Sequence, residues 1–102
     1  MKYYTVAELD ITNDAWVPDY VAHVTGMLEA RGGRYLACTP RAEKLEGERP
    51  LPQLFIIVEW PSREAADAFY ASEEYHPFRQ RRREGSRSEL ALVPGEDITR
   101  QS

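Results

Sequence analysis

The sequence predicts an α+β domain in which a four-stranded antiparallel sheet carries its helices on one face. Two stretches have apolar residues at helical spacing, and four others have the alternation or the short apolar runs of strands. Their order along the 102 residues is strand, helix, strand, strand, helix, strand. This length leaves room for one domain, and 42% hydrophobic with 29% charged residues is typical of a globular protein.

The first strand and the first helix are the clearest elements. Residues 2–11 alternate polar and apolar side chains and are rich in β-branched and aromatic residues. Asn13 or Asp14 is then placed to cap a helix, which ends near residues 31–33 because glycine readily adopts the left-handed conformation that closes helices. The broad apolar face of this helix comprises Trp16, Val17, Tyr20, Val21, Val24, Met27 and Leu28.

The remaining elements follow from turn and cap signals. Prolines and a glycine exclude any long regular element from residues 40–52, and Ser62 is placed to cap a helix. Because a residue before proline avoids helical angles and proline suits the first helical position, a second helical piece is expected to begin at Pro77. We predict strands at 34–39, 53–60 and 88–93, a helix at 63–71, and a helical piece from 77 to the Gly85-Ser86 pair.

This order is the ferredoxin-like βαββαβ arrangement, predicted as one domain over residues 1–95 with a polar C-terminal tail at 96–102. The third strand has five consecutive apolar residues at 54–58, so both of its faces are apolar. We therefore expect a homodimer in which the open faces of two sheets pack together, forming a dimeric α+β barrel. The alternative is a hydrophobic central strand with an exposed patch.

Charge, hydropathy and cysteine content exclude several function classes. A net charge of −4 argues against general binding to nucleic acid or to an anionic membrane. The longest strongly apolar run, 54–58, is far shorter than the roughly twenty residues of a spanning helix. The single cysteine, Cys38, fits a reducing cytoplasm and is interpreted as a buried, inert thiol, with a reactive thiol as the alternative. No Cys/His spacing predicts a metal site.

The basic run at 79–83 is interpreted as a solvated helix face that complements the helix dipole. RNA binding is the alternative, since RNA-recognition domains share this element order. Their third strand carries a glycine and aromatic motif that residues 54–60 do not match, so no nucleic-acid partner is predicted.

Four segments, taken in order, carry a family resemblance. They are Gly-Gly-Arg-Tyr-Leu at 32–36, Glu-Lys-Leu-Glu-Gly-Glu at 43–48, Val-Glu-Trp-Pro-Ser at 58–62 with Ala65-Ala66 after it, and Ser-Glu-Glu-Tyr at 72–75. The chain resembles the domain-of-unknown-function family 1330 over nearly its whole length. The resemblance implies a dimeric α+β barrel, related in fold to small cofactor-independent monooxygenases, isomerases and cyclases, without an established reaction.

Two positions depart from the family pattern. Trp60 stands where the family commonly has phenylalanine, and Pro77 interrupts a segment that is usually continuous helix. Haem-degrading monooxygenases of the same fold resemble this chain in Trp60, but their haem-ligating histidine lies about one turn beyond His76, where this chain has Arg79. No haem or other cofactor is therefore predicted.

Three residues are the candidate catalytic groups. His23 follows Trp16 by seven positions and Tyr20 by three, which predicts that it lies on the apolar face of the first helix, in a cleft against the sheet. There it would act as general acid or base with Tyr20 as phenol partner; a hydrogen-bonded histidine at the edge of the core is the alternative. Glu59 is a candidate base if it points to a dry interior, and a salt bridge with Arg34 or Arg87 is the alternative.

Aromatic residues and a second histidine are the candidate substrate-binding groups, because an apolar pocket with a few polar groups suits a small metabolite. His76 is alternatively a capping or surface residue. We predict a cofactor-independent isomerase, cyclase or monooxygenase acting on an apolar or aromatic metabolite, with a non-catalytic ligand-binding or stress-associated dimer as the alternative. The candidate substrate-binding residues are Trp16, Tyr35, Trp60, Tyr75 and His76.

Overall fold

The computed structural model describes residues 1–100 and confirms the predicted element order. The helical piece begins one residue before Pro77, and the last strand begins two residues earlier than expected. The elements are β1 (Tyr3–Ile11), a 3-10 turn (Asp14–Trp16), α1 (Val17–Glu29), β2 (Arg34–Thr39), β3 (Leu54–Trp60), α2 (Arg63–Tyr70), α3 (His76–Glu84), β4 (Ser86–Pro94) and a second 3-10 turn (Ile98–Arg100).

The residues predicted to begin and end the helices have the expected roles. Asn13 Oδ1 accepts a hydrogen bond from the backbone N–H of Ala15 at 2.9 Å, and Ser62 Oγ accepts one from Ala65 at 3.1 Å. Pro77 lies in the first turn of α3, where a missing backbone donor costs little. Gly32 has φ of 83°, the left-handed conformation that lets the chain turn from α1 into β2.

The four strands form one antiparallel sheet in the order β2-β3-β1-β4. The register places Tyr3 opposite Trp60 and Val6 opposite Ile57, so β1 and β3 form the centre of the sheet. This is the ferredoxin-like arrangement that the sequence predicts. The predicted boundary between a domain at 1–95 and a tail stays a prediction, and tail residues 101–102 lie outside the described part.

The helices cover one face of the sheet and form the core with it. On this face Trp60 is only 2% exposed, and Val58 beside it is also buried. Because side chains alternate across a strand, Thr5, Ala7 and Leu9 of β1 lie on the same side. The helices contribute the buried Val24, Leu28, Ala66 and Phe69, with Tyr75 from the turn before α3.

The opposite face of the sheet has no helix over it. Phe55 and Ile57 lie on this open face and are only partly buried, while Leu54, Ile56 and Val58 point to the helices. The prediction that β3 is apolar on both sides is confirmed. The loop at 40–53 carries Leu45 with 96% of its surface exposed. None of the helices within residues 1–100 has the length and apolar character needed to cross a bilayer.

Two glycines provide a matched test of this packing. A Cβ on Gly85 would lie 2.3 Å from Trp16 Cδ1 and 2.9 Å from the backbone oxygen of Asn13, whereas a Cβ on Gly26 in α1 meets nothing within 4 Å. Gly85→Ala is expected to lower the free energy of unfolding by about 1–3 kcal/mol through overpacking. Gly26→Ala is expected to raise it by about 1 kcal/mol through helix propensity. Urea denaturation measures both, and equal stability of the two variants would contradict this packing.

Candidate functional site

A small, partly open space lies between the helices and the sheet, and we call it the inner cavity. It has a volume of about 70 Å³. A groove of about 520 Å³ runs between α2 and β4 beside it, and we call this the outer groove. Thr5, Ala66, Tyr70 and Leu90 line both spaces, so a molecule in the outer groove reaches the mouth of the inner cavity.

A larger concavity of about 880 Å³ lies on the open face of the sheet. It is bordered by charged side chains such as Glu8, Arg87 and Glu89 and by the loop residues Arg49 and Pro50. This concavity is broad and solvated, whereas binding sites for small apolar molecules are concave, mostly apolar and hold a few convergent polar groups. The inner cavity and the outer groove fit that description better and are the candidate site.

A pair of tyrosines forms one wall of the inner cavity. The hydroxyl oxygens of Tyr20 and Tyr75 lie 2.7 Å apart and share a hydrogen bond, and Tyr75 is 2% exposed. Burial, and after it the neighbouring Tyr75 phenol, raises the pKa of Tyr20 well above its ordinary value. Tyr20 is therefore a neutral phenol at physiological pH, which can take part in hydrogen bonds but does not act as a base.

Aromatic rings form another wall. The indole Nε1 of Trp60 donates a hydrogen bond to Thr5 Oγ1 at 2.9 Å, which fixes the indole across β3 and β1. The Phe69 ring lies 5.3 Å from the Trp60 ring and 4.3 Å from the Tyr75 ring. Tyr35 of β2 completes the lining on this side, and burial raises the pKa of its phenol. The cavity is therefore mainly aromatic.

Arg82 of α3 also lines the inner cavity and is only 3% exposed. Its Nη1 donates a hydrogen bond to Ser88 Oγ at 2.7 Å. Burial alone would lower the pKa of Arg82, but the phenols of Tyr75 and Tyr20 outweigh burial and the pKa is raised. Arg82 therefore carries a positive charge inside the protein.

Four of the predicted site residues come together in this cavity: Tyr20, Tyr35, Trp60 and Tyr75. Trp16 does not line it. Its Nε1 donates a hydrogen bond to the backbone oxygen of Gly85 at 3.2 Å, and its ring packs edge-on against Tyr20. Trp16 is a core residue that joins α1 to the end of α3.

His23 does not lie in a cleft against the sheet, and that expectation is wrong. Its side chain is 56% exposed, and its ring lies 5.6 Å from Phe78 of α3. Nδ1 lies 2.9 Å from the backbone oxygen of Asp19. The inward direction of α1 is set by Val24 and Leu28, and position 23 falls at the margin of that apolar face.

His76 is also exposed and does not line the cavity. It lies in the first turn of α3, with Nδ1 3.2 Å from Arg79 Nη2. This agrees with the alternative of a surface residue at a helix junction. The role of His76 in binding a substrate has no support in this geometry.

Glu59 lies on the open face of the sheet, on the opposite side from the inner cavity. Lys2 Nζ and Arg34 Nη2 both donate hydrogen bonds to its carboxylate, the second at 3.0 Å. These two cations hold the pKa of Glu59 below its ordinary value. The alternative of a salt bridge with Arg34 is confirmed, and His23 and Glu59 do not share a cavity.

Sequence reasoning also placed Arg82 and Cys38 in the wrong environment. Arg82 was grouped with a solvated basic run, yet it follows Phe78 by four positions and Tyr75 by seven, spacing that places it on the inner side of α3. Cys38 was expected to be buried, but it lies on the edge strand β2 and is exposed. What burial it has raises the pKa of its thiol, so it is not an activated nucleophile.

Residues 1–100 contain no cluster of three or more His, Cys, Asp or Glu side chains arranged to hold a metal ion. The ionisable groups that line the inner cavity are Tyr20, Tyr35, Tyr70, Tyr75 and Arg82. These groups can donate hydrogen bonds or stabilise negative charge. No histidine or carboxylate is among them to act as a base.

Comparison with known proteins places the chain in a family. The model of the family described as Domain of unknown function (DUF1330) matches residues 2–96. The chain belongs to this family. The resemblance seen in the four sequence segments is thereby confirmed. No curated protein matches this DUF1330 chain.

Solved structures share the fold of this DUF1330 protein. A protein of unknown function from Rhodopseudomonas palustris, RPA0582, has a TM-score of 0.75 at 14% identity, covering 94% of this chain and 84% of its own. SnoaB, a cofactor-independent oxygenase from Streptomyces nogalater, has a TM-score of 0.64 at 15% identity over 98% of both chains. An antibiotic biosynthesis monooxygenase has a TM-score of 0.52 at 19% identity, over 95% of this chain and all of its own. Identities this low show the fold alone.

The ion pairs of Glu59 give a prediction for pH dependence. Because the pKa of Glu59 is lower in the folded than in the unfolded protein, its stabilising effect is present above the unfolded pKa of about 4.3 and is lost as pH falls through the folded value. Wild type is expected to melt at a higher temperature than Glu59→Gln at pH 7, and the difference should shrink as pH falls below about 4. A melting-temperature difference that stays constant from pH 7 to 3 would contradict the pairing.

Proposed function

We propose that this DUF1330 protein binds a small aromatic or otherwise apolar metabolite in the inner cavity and outer groove, and acts on it without a metal or organic cofactor. The observation that carries the proposal is an aromatic cavity lined by buried polar groups: the hydrogen-bonded Tyr20 and Tyr75 hydroxyls and the guanidinium of Arg82. The candidate reactions are isomerisation, cyclisation and monooxygenation.

The polar groups of the cavity limit the chemistry. A neutral phenol with a raised pKa offers a hydrogen bond, and a buried cation stabilises an anion, but neither removes a proton from carbon. A substrate for this site must therefore arrive as an anion or be acidic enough to ionise once Arg82 stabilises its anion. Enols, phenols and 1,3-dicarbonyl compounds meet that condition.

Monooxygenation is the reaction for which the comparison with SnoaB gives support, since that protein is described as a cofactor-independent oxygenase and shares the fold. In such a reaction an activated CH₂ group takes up one atom of dioxygen as a carbonyl. The second oxygen atom leaves as water with the two hydrogens, and the electrons come from the substrate itself. The aromatic walls would keep bulk water from the reacting carbon.

A non-catalytic ligand-binding or stress-associated protein is the alternative, because an apolar pocket alone suffices for binding. The two classes differ in what happens to the ligand. A binding protein returns it unchanged, whereas an enzyme converts its own substrate at a rate that depends on pH. For either class we propose a cytoplasmic location and no nucleic-acid partner, from the single cysteine and the net charge of −4.

The binding of a neutral aromatic compound provides the first test of the proposed site. Isothermal titration with 1-naphthamide is expected to show binding to the wild-type protein. Ala71 is exposed at the end of α2 and lines the outer groove, so Ala71→Trp fills the entrance and should weaken binding about tenfold or more. Ala30 is the exposed residue at the equivalent end of α1, away from the groove, and Ala30→Trp should leave affinity unchanged. Absence of binding, or equal loss in both variants, would contradict the proposed site.

We also propose that the protein forms a homodimer through the open face of its sheet. Phe55 and Ile57 present apolar surface there, and a solvated sheet face is ordinarily polar. Leu45 projects from the loop at 40–53 almost fully exposed, as expected of a side chain that packs against a second copy. Dimerisation would bury both features without using the helix-covered face.

Light scattering after size-exclusion chromatography tests the dimer. The wild type is expected to elute at twice the monomer mass of 11.7 kDa at micromolar concentration. Ile57→Asp places a charge at the centre of the open face and should shift the protein to monomer. Val21→Asp, on the exposed side of α1, is the control that should remain dimeric. A monomeric wild type would refute the proposal.

A further inference from the structure

We propose that the ligand of the inner cavity carries an oxyanion with two adjacent oxygen atoms, such as a carboxylate or an enolised 1,3-dicarbonyl, and that Arg82 binds it through Nε and Nη2. The inference rests on the proposed function and deepens it, because it names the chemical class that the cavity selects. Three observations about Arg82 carry it.

The first observation is that part of the guanidinium is buried without a partner. Nη1 is satisfied by Ser88, but Nε and Nη2 are buried and have no hydrogen-bond partner within residues 1–100. Buried polar groups in proteins are nearly always hydrogen-bonded, and each exception calls for an explanation. The free-energy cost of burying a polar group without a partner is largest for a charged group, because the group loses its hydration without compensation.

The second observation is which two nitrogens are free. Nε and Nη2 lie on one edge of the planar guanidinium, and their N–H bonds run parallel. This edge matches the two oxygens of a carboxylate and forms the bidentate pair that makes arginine the preferred residue for planar oxyanions. The hydrogen bond from Nη1 to Ser88 anchors the side chain, and Arg82 is one of the residues that line the inner cavity.

The third observation is the absence of an internal counter-charge. Across the described residues, the ion pairs within 4 Å join other side chains, and none includes Arg82. The phenols of Tyr20 and Tyr75 border the same cavity, and they raise the pKa of the guanidinium without supplying a carboxylate to pair with it. A buried cation with no acidic partner is an environment that stabilises an anion.

A matched pair of probes tests the inference. 1-Naphthoate and 1-naphthamide have nearly the same shape, but only the first is an anion at pH 7. Isothermal titration of the wild type is expected to give at least about tenfold tighter binding of 1-naphthoate, the size expected for hydrogen bonds to a charged group. This comparison uses the unmodified protein and does not depend on the folding of any variant.

Variants then assign the preference to Arg82. Arg82→Met keeps the length of the side chain without its charge and should abolish the preference, weakening the binding of 1-naphthoate much more than the binding of 1-naphthamide. Arg83→Met changes the exposed neighbour in the same helix and should preserve the preference. If Arg82→Met does not fold, Arg82→Lys takes its place. The lysine ammonium is a single-point charge that cannot form the bidentate pair, so the affinity for 1-naphthoate should fall more than the affinity for 1-naphthamide.

The outcomes separate this inference from the proposed function. If 1-naphthamide binds and 1-naphthoate binds no more tightly, the cavity takes aromatic ligands but the oxyanion inference fails. The same holds if the preference survives undiminished in the Arg82 variant that folds. If neither probe binds, the proposed site itself fails, and with it the inference that rests on it.

Discussion

The packing around Trp60 is the interaction on which the helix-covered half of the protein depends. Its indole is tied to β1 by the hydrogen bond to Thr5 Oγ1 and packs against the ring of Phe69 from α2. The chain that turns from α1 into β2 approaches so closely that a Cβ on Gly33 would lie 2.7 Å from the Trp60 ring. One side chain at the end of β3 therefore sets the distance of both α1 and α2 from the sheet. The space left beside it is the inner cavity.

This arrangement determines the electrostatics of the cavity as well as its shape. Because aromatic rings close the cavity on several sides, water screens the charge of Arg82 poorly, and the same burial keeps the phenol of Tyr20 neutral. A neutral phenol and a cation with no acidic partner then border the same small space. The two properties have one cause, the exclusion of water, and both favour an anionic ligand over the neutral form of the same molecule.

Residue patterns predicted the fold well and the site in part. Tyr20, Tyr35, Trp60 and Tyr75 were found because an aromatic residue on the apolar side of an element is directed inward whatever its role. His23 was misplaced because seven-residue spacing from Trp16 gives a helical face but not its centre, and only the contact with α3 shows that position 23 lies at its margin. The side of Glu59 could not be read, since five apolar residues before it erase the alternation that distinguishes the two faces of a strand. Arg82 was concealed by charged neighbours that are themselves solvated.

The two faces of the sheet carry different kinds of side chains and have different proposed roles. The charged cluster of Lys2, Arg34 and Glu59 and the apolar side chains of Phe55 and Ile57 all lie on the open side. Arg82 and the tyrosines lie on the helix side. A domain of this size buries a limited fraction of its surface, so a cavity under the helices removes packing contacts that the domain needs for its stability. Apolar burial of the open face between two copies would restore them without occupying the cavity. The proposed dimer and the proposed binding site are thus linked through the stability of the domain and not through shared contacts. A variant that weakens the dimer should therefore lower the stability of the binding site without changing any residue that lines it.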